Sequence, residues 1–175
     1  TQGVSSAASD VYKRQILCGR MNALTFNTLR MLADGEFRSG EAMARVLGVS
    51  RASVWNALSA LDECGIEVFK VRGRGYRLAQ PLDLLDESRI KNLLGGDAPR
   101  FALEIRDRID STNTQLMERA GTGAPDGTVL AAEWQTAGRG RRGRTWHALP
   151  GAALTFSVLR RFEQGAGFLT GLSLG

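Results

Sequence analysis

Ser39 and Ser50 each stand directly before a short helical stripe, and the "LGVS" stretch at 47–50 leaves room only for a turn between the two stripes. A serine there can accept from the free N–H groups of a first helical turn, so each marks a helix start. Upstream, Phe26, Leu29 and Leu32 recur along one face of a helix predicted over Thr25–Ala33 and broken by "DGEF". The second stripe carries Met43, Val46 and Leu47 as its expected buried face, with Glu41 favourably placed in its first turn. The third carries Val54, Leu58 and Leu61 at i, i+4 and i+7, and its end near Cys64 is followed by Gly65, a residue suited to a left-handed cap. Short helices joined by so tight a turn form a helix-turn-helix pattern.

The segment that follows, "IEVFKVRGRGYRLA" over 66–79, reads as two strands around "RGRG", with Ile66, Val68 and Val71 facing Tyr76 and Leu78. A basic-tipped hairpin directly after a recognition helix is a wing. The polar start of the third helix supplies candidate base-reading residues, Arg51, Ala52, Ser53 and Asn56; Trp55 among them reads equally as a groove-facing residue or as part of the core. Arg72 and Arg74, with Lys70 and Arg77, are candidate phosphate contacts. A small helical protein-binding domain is the other reading of the same pattern.

The charge distribution limits what the rest of the chain can do. The net charge of +5 is not spread broadly; it gathers in "KVRGRGYR" at 70–77 and "GRGRRGR" at 138–144, so nucleic-acid binding must come from local clusters. Two cysteines without a C-x-x-C pair, and one histidine, argue against a disulfide scaffold and against a structural zinc site. A reducing, cytoplasmic setting is expected, with no apolar run long enough to span a membrane. Residues 1–20 show no period and are expected to be a non-native or disordered tail, with Met21 a plausible start; "FLTGLSLG" stops inside an apolar stretch, so truncation at the C-terminus is expected.

A second domain is predicted over 83–175, after a winged helix over 21–82. A helix from about Glu87 leads into a strand, "FALEIRDRID", and then a helix, "STNTQLMERAGTG", with Leu116 and Met117 on its inner side. Further strands are read at "GTVLAAEWQ" and "GAALTFSVLRRF", and another helix begins at "GFLTGLSLG". Strands and helices mix, so the fold class is α+β, with a mixed α/β second domain.

The glycines of "GRGRRGR" fit G-x-G-x-x-G, yet no helix follows: "RTWHALPGAAL" comes next, and every x position is arginine. A dinucleotide-binding loop needs a helix directly after it and slim residues against the pyrophosphate. A P-loop would need G-K-[ST], which is absent. Glycines bare the amides, while Arg139, Arg141, Arg142 and Arg144 offer charge-assisted bonds to carboxylate or phosphate, and Trp146 can cover a base. From charge alone, an exposed RNA-binding or solvated loop is an equal reading.

Read together, Asp110-Ser111-Thr112-Asn113, the stretch "QTAGRGRRGRTW" from Gln135 to Trp146 and the winged helix resemble the biotin protein ligase family in its bifunctional, operon-repressing form. The resemblance runs from about Phe26 to Gly175 and implies a truncated class II synthetase-like catalytic domain. It implies that biotin and ATP are substrates, with Mg2+ accompanying ATP and no metal ligands evident in the sequence. Biotin's carboxylate attacks the α-phosphate of ATP, giving biotinyl-AMP, and a lysine of the biotin carboxyl carrier protein then takes the biotinyl group.

By the same resemblance Ser111, Thr112, Asn113 and Gln135 pair with the ureido ring. Gly138, Arg139, Gly140 and Arg141 bind the biotin carboxylate and phosphate, with Arg139 and Arg141 as catalytic charges. Arg141, Arg144 and Trp146 hold the nucleotide. For Asp110, capping of its helix is as strong an expectation as a direct part in catalysis. Partners implied are the carrier protein, operator DNA and a second copy of the chain when biotinyl-AMP is bound. The family's essential lysine lies in a K-W-P-N-D-like strand beyond the last residue here, so activity is expected of a full-length parent and not of this chain. The alternative is a non-catalytic winged-helix regulator that senses biotin or biotinyl-AMP.

Overall fold

The computed structural model describes residues 21–140, 142 and 144–162. They fall into two compact units: residues through Leu84 together with Ala148–Ala153, and Leu85–His147 together with the stretch from Leu154 onward.

In the first unit, α1 spans Ala23–Leu32, α2 Gly40–Leu47 and α3 Arg51–Glu63. Each begins at a side-chain cap. Asn22 accepts from the Thr25 amide at 3.0 Å, Ser39 from Ala42 at 3.0 Å and Ser50 from Ser53 at 3.0 Å. Gly48, in the left-handed region at φ 65°, ends α2 and allows the tight turn into α3. Phe26, Leu29, Leu32, Met43, Val54 and Leu61 are wholly buried between the three helices, each burial being a driving force of about 1.5–3 kcal/mol.

The expected face of α2 is corrected in one position. Val46 is 72% exposed, and Ala44 is buried beside Met43 instead. The Met43–Ala44 edge meets α1 and α3, and Val46 lies beyond it.

The hairpin β1 (Val68–Val71) and β2 (Gly75–Leu78) pairs antiparallel, Val68 opposite Leu78 and Val71 opposite Gly75. A third short edge joins it. Arg38 exchanges both backbone bonds with Tyr76, at 2.8 and 2.9 Å. Gly75 makes this approach possible. Its φ is +104°, and a Cβ there would stand 2.2 Å from the Arg38 carbonyl oxygen. Ala148–Ala153 also belongs to this unit and contains a turn closed by Ala152 N–H to Leu149 O at 3.0 Å, with Pro150 buried.

The second unit opens with α4 (Glu87–Leu94), capped by Asp86, and a 3-10 turn over Gly95–Arg100. Then β3 (Ala102–Ile109), α5 (Thr112–Gly121) and β4 (Thr128–Gln135) form a βαβ unit, because β3 and β4 are parallel. β5 (Phe156–Val158) adds antiparallel to the other side of β4. The order β3-β4-β5 makes β4 central, which explains its unbroken buried run from Leu130 to Trp134. Buried Glu133 in that run accepts from the Leu85 amide.

In α5 Leu116 is buried as expected, but Met117 is 69% exposed and is corrected to a surface residue. One residue further on, the helix has turned away from the sheet. The helix expected at "GFLTGLSLG" and the tail over 1–20 lie outside the described residues. Among the described residues, no helix is long and apolar enough to cross a membrane.

Candidate functional site

Parallel strands end together, and a helix that follows one of them starts at the same place. Here β3, β4 and the start of α5 converge, and two further backbone bonds prolong the ladder: Thr136 N–H to Ile109 O at 2.9 Å and Ala137 N–H to Asp110 O at 2.8 Å. Carboxyl ends of parallel strands are where open α/β sheets hold ligands, and a helix start adds free N–H groups.

Ser111 caps α5, its Oγ accepting from Thr114 N–H at 3.4 Å, so of the two readings open for Asp110, capping is not the one the structure gives. Asp110 keeps a buried Oδ1 without a hydrogen-bond partner among the described residues. Thr112 is buried and meets Gln135 at the end of β4. Gln135 Oε1 accepts from the Thr112 amide at 2.7 Å and from its hydroxyl at 3.1 Å. Asn113 is exposed, and its Nδ2 lies 3.7 Å from Met117 Sδ.

The glycine-arginine segment is a narrow hairpin. Trp146 N–H donates to Gly138 O at 2.8 Å and Gly140 N–H to Arg144 O at 2.6 Å, with Arg139 opposite Thr145. Gly138 is buried against Gln135. A Cβ on it would stand 2.5 Å from the Trp146 carbonyl oxygen and 3.1 Å from Gln135 Nε2. Arg139, Arg142, Arg144 and Trp146 are exposed, and Arg142 sits at the tip with a left-handed φ of 59°. The Gly140 amide is committed inside the hairpin. Arg141 lies outside the described residues.

Two contacts fix α5. Its start is held by the Thr112–Gln135 pair. Near its end, Arg119 donates to both carboxylate oxygens of Glu104 on β3, at 2.6 and 3.2 Å, and Arg106 donates to one of them at 2.5 Å. The Arg119 bond first, with Arg119 and Arg106 charge behind it, holds the Glu104 carboxyl below its ordinary value despite partial burial. The same bond raises Arg119.

In the first unit, Arg51, Ala52 and Asn56 are exposed along the start of α3, and Trp55 beside them is 55% exposed, more surface than core. The Ser53 hydroxyl pairs with the capping Ser50 Oγ at 2.9 Å. Arg72 is exposed at the wing tip. Arg74 lies over the Phe37 ring at 4.1 Å, and Arg77 stands 5.2 Å from Phe37 and 5.4 Å from Phe69.

Two residues escaped sequence reasoning. Ser157 of β5 lies 2.9 Å from the Thr112 hydroxyl; a lone serine in a short strand carries no motif. Phe37 sits in the "DGEF" breaker, where an aromatic ahead of a basic hairpin was the available signal. Among the described residues, no group of three or more His, Cys, Asp or Glu gathers to hold a metal.

Residues 25–77 match an HTH domain family, and residues 105–169 match the biotin/lipoate A/B protein ligase family. The chain is 44% identical over 146 residues to the bifunctional ligase/repressor BirA of Salmonella typhimurium, covering 83% of this chain and 44% of that protein. It is 40% identical over 153 residues to BirA of Escherichia coli K12, covering 87% and 46%. Similarity extends to the biotin–[acetyl-CoA-carboxylase] ligase of Mycobacterium tuberculosis, 45% identical over 83 residues, covering 47% and 30%. The chain thus spans less than half the length of each of these relatives.

Proposed function

We infer, from a chain that joins an HTH domain to part of a biotin/lipoate A/B protein ligase domain, that the protein is a biotin ligase with an attached DNA-binding repressor unit. The observation that carries the reading is the Thr112–Gln135 pair at the shared end of β3 and β4, directly beneath the Gly138 hairpin. Residues 21–82 form the DNA-binding part and 83–175 the ligase part, and a cytoplasmic location goes with both.

Ser111, Thr112, Asn113 and Gln135 take the ureido ring, which needs donors and acceptors at fixed angles. Gly138, Arg139, Gly140 and Arg141 take the biotin carboxylate and the α-phosphate of ATP. A carboxylate oxygen attacks the α-phosphorus, the bond to the β-phosphate oxygen breaks and pyrophosphate leaves. Arg139 and Arg141 neutralise charge at that step, which depends mainly on positioning and electrostatics. The Gly140 amide is bonded to Arg144 O within the hairpin, so at this step the exposed Arg139 guanidinium is the group available from the described residues of Gly138–Arg141. Arg144 adds nucleotide charge and Trp146 stacks on adenine.

Among the described residues no group of three or more His, Cys, Asp or Glu gathers. Magnesium enters this reading with the ATP phosphates, whose charge it screens. A lysine Nζ of biotin carboxyl carrier protein then attacks the anhydride carbonyl, and AMP departs. Loaded with biotinyl-AMP, two copies pair and bind operator DNA through Arg51, Ala52, Ser53, Asn56, Arg72 and Arg74.

The test is incubation of the full-length parent with biotin and ATP, reading pyrophosphate release and biotinyl-AMP, with Arg141→Ala in the same protein as comparison. Biotinyl-AMP formation, and its weaker retention by Arg141→Ala, is expected. Biotin binding without pyrophosphate release selects a sensing regulator instead. Absence of biotin binding overturns the ligand assignment.

A further inference from the structure

The polar contacts around Thr112 have only one consistent direction of donation. A backbone N–H can only donate, so the Gln135 atom 2.7 Å from the Thr112 amide is the carbonyl oxygen. That oxygen cannot donate, so the Thr112 hydroxyl, 3.1 Å away, gives its one proton to it. Turned elsewhere, the hydroxyl would leave two lone-pair oxygens facing each other. With the Thr112 proton spent, the 2.9 Å contact to Ser157 runs from the Ser157 hydroxyl to Thr112 Oγ1.

The chain is therefore Ser157 O–H to Thr112 O–H to Gln135 Oε1. Both lone pairs of Gln135 Oε1 are taken by Thr112. What Gln135 has left is its Nε2 donors, packed beside Gly138 of the hairpin. Ser157 Oγ keeps its lone pairs. The cluster offers a donor at Gln135 and an acceptor at Ser157, which complements a ligand with a carbonyl beside an N–H, a urea or cyclic amide.

We propose that Ser157 is a positioning residue of the ligand site: its hydroxyl, on β5, donates to Thr112 Oγ1 and so reinforces the donation by which Thr112 holds Gln135 Oε1, leaving Gln135 N–H for the ligand's carbonyl. This rests on the reading of the site as a biotin site. It adds a residue from the strand that follows the hairpin to those at the ends of β3 and β4.

The experiment is calorimetric titration of the protein with biotin and with 2-iminobiotin, in which the ureido carbonyl is replaced by an imine nitrogen that carries a proton. Parent, Ser157→Ala and Ser157→Thr are compared, with thermal unfolding of each. Loss of one neutral hydrogen bond predicts about three- to tenfold weaker biotin binding in Ser157→Ala. The biotin-to-iminobiotin preference falls in the same variant, and Ser157→Thr restores both. A purely structural role would lower the unfolding temperature and leave that preference unchanged.

Should Ser157→Ala fail to fold, Ser157→Cys, a weak donor, carries the comparison and is expected between parent and full loss. Parent binding with Ser157→Ala (or that Cys variant) equal to it in affinity and preference overturns the inference alone. A parent that binds no biotin overturns the biotin reading and the inference together.

Discussion

The Arg74 guanidinium lies over the Phe37 ring, its central carbon 4.1 Å from the ring centroid, and Arg77 approaches the same ring at 5.2 Å. Phe37 precedes α2, whereas both arginines belong to the wing, so one aromatic ring positions two wing cations. Each such contact is worth about 0.5–1 kcal/mol at an exposed site. Phe37→Leu keeps apolar bulk and removes the π face, and is expected to weaken binding to nonspecific duplex DNA a few-fold without changing its salt slope. Arg72→Ala removes the phosphate contact proposed for the wing tip and is expected to reduce that slope by about one. Equal slopes for Arg72→Ala and parent would remove the wing tip from the DNA interface.

Gly75 tests how the wing is attached. A Cβ there would meet the Arg38 carbonyl at 2.2 Å, and its φ of +104° is one that L residues rarely adopt. Gly75→Ala is expected to destabilise the first unit by about 1–3 kcal/mol, read as a fall in its denaturant midpoint. Gly73 also has positive φ but opens on empty space, so Gly73→Asn serves as the mild control.

How much of this could be read from the residues depends on the range of each force. The caps at Ser39 and Ser50 act within three residues, so the helix starts were legible. The buried faces were less so. Val46 and Met117 have apolar neighbours at helical spacing, but their exposure is set by where other elements stop covering the helix. The bond between Thr112 and Gln135 joins two motifs visible in the sequence, and the fold supplies only their meeting at the strand ends. Ser157 carried no signal and Phe37 only that of an aromatic ahead of a basic hairpin, because each acts across a contact that only strand register or wing placement creates. The committed Gly140 amide was hidden for the same reason: the hairpin bond to Arg144 is a choice among conformations open to any glycine-rich loop.

Gly138 tests the seating of the hairpin. A Cβ there would overlap the Trp146 carbonyl at 2.5 Å and crowd Gln135 Nε2 at 3.1 Å. Backbone must move to admit it, at a cost of about 1–3 kcal/mol. Gly138→Ala is expected to loosen the hairpin, seen as faster proteolysis between Arg139 and Arg144, and to weaken biotin binding. Gly140→Ala, whose nearest contact is 3.3 Å, is expected to be milder on both measures. Equal proteolysis of Gly138→Ala and parent would separate the hairpin's seating from Gly138.

The Glu104–Arg119 pair gives the second unit a defined acid response. Glu104 titrates below its ordinary value because Arg119 hydrogen-bonds its charged form. A carboxyl depressed on folding binds fewer protons in the native state, so it adds stability above its unfolded value, and that stability is lost as pH falls through the depressed folded value. Arg119 is shifted upward and stays charged throughout this range. Glu104→Gln should therefore be less stable than parent at neutral pH, by no more than about 1 kcal/mol for so solvent-screened a pair. The gap should close as pH drops below the ordinary carboxylate range, and raised salt should shrink it at neutral pH. Unfolding midpoints of parent and Glu104→Gln between neutral and strongly acid pH test this. A gap independent of pH would mean that the pair contributes packing and not charge.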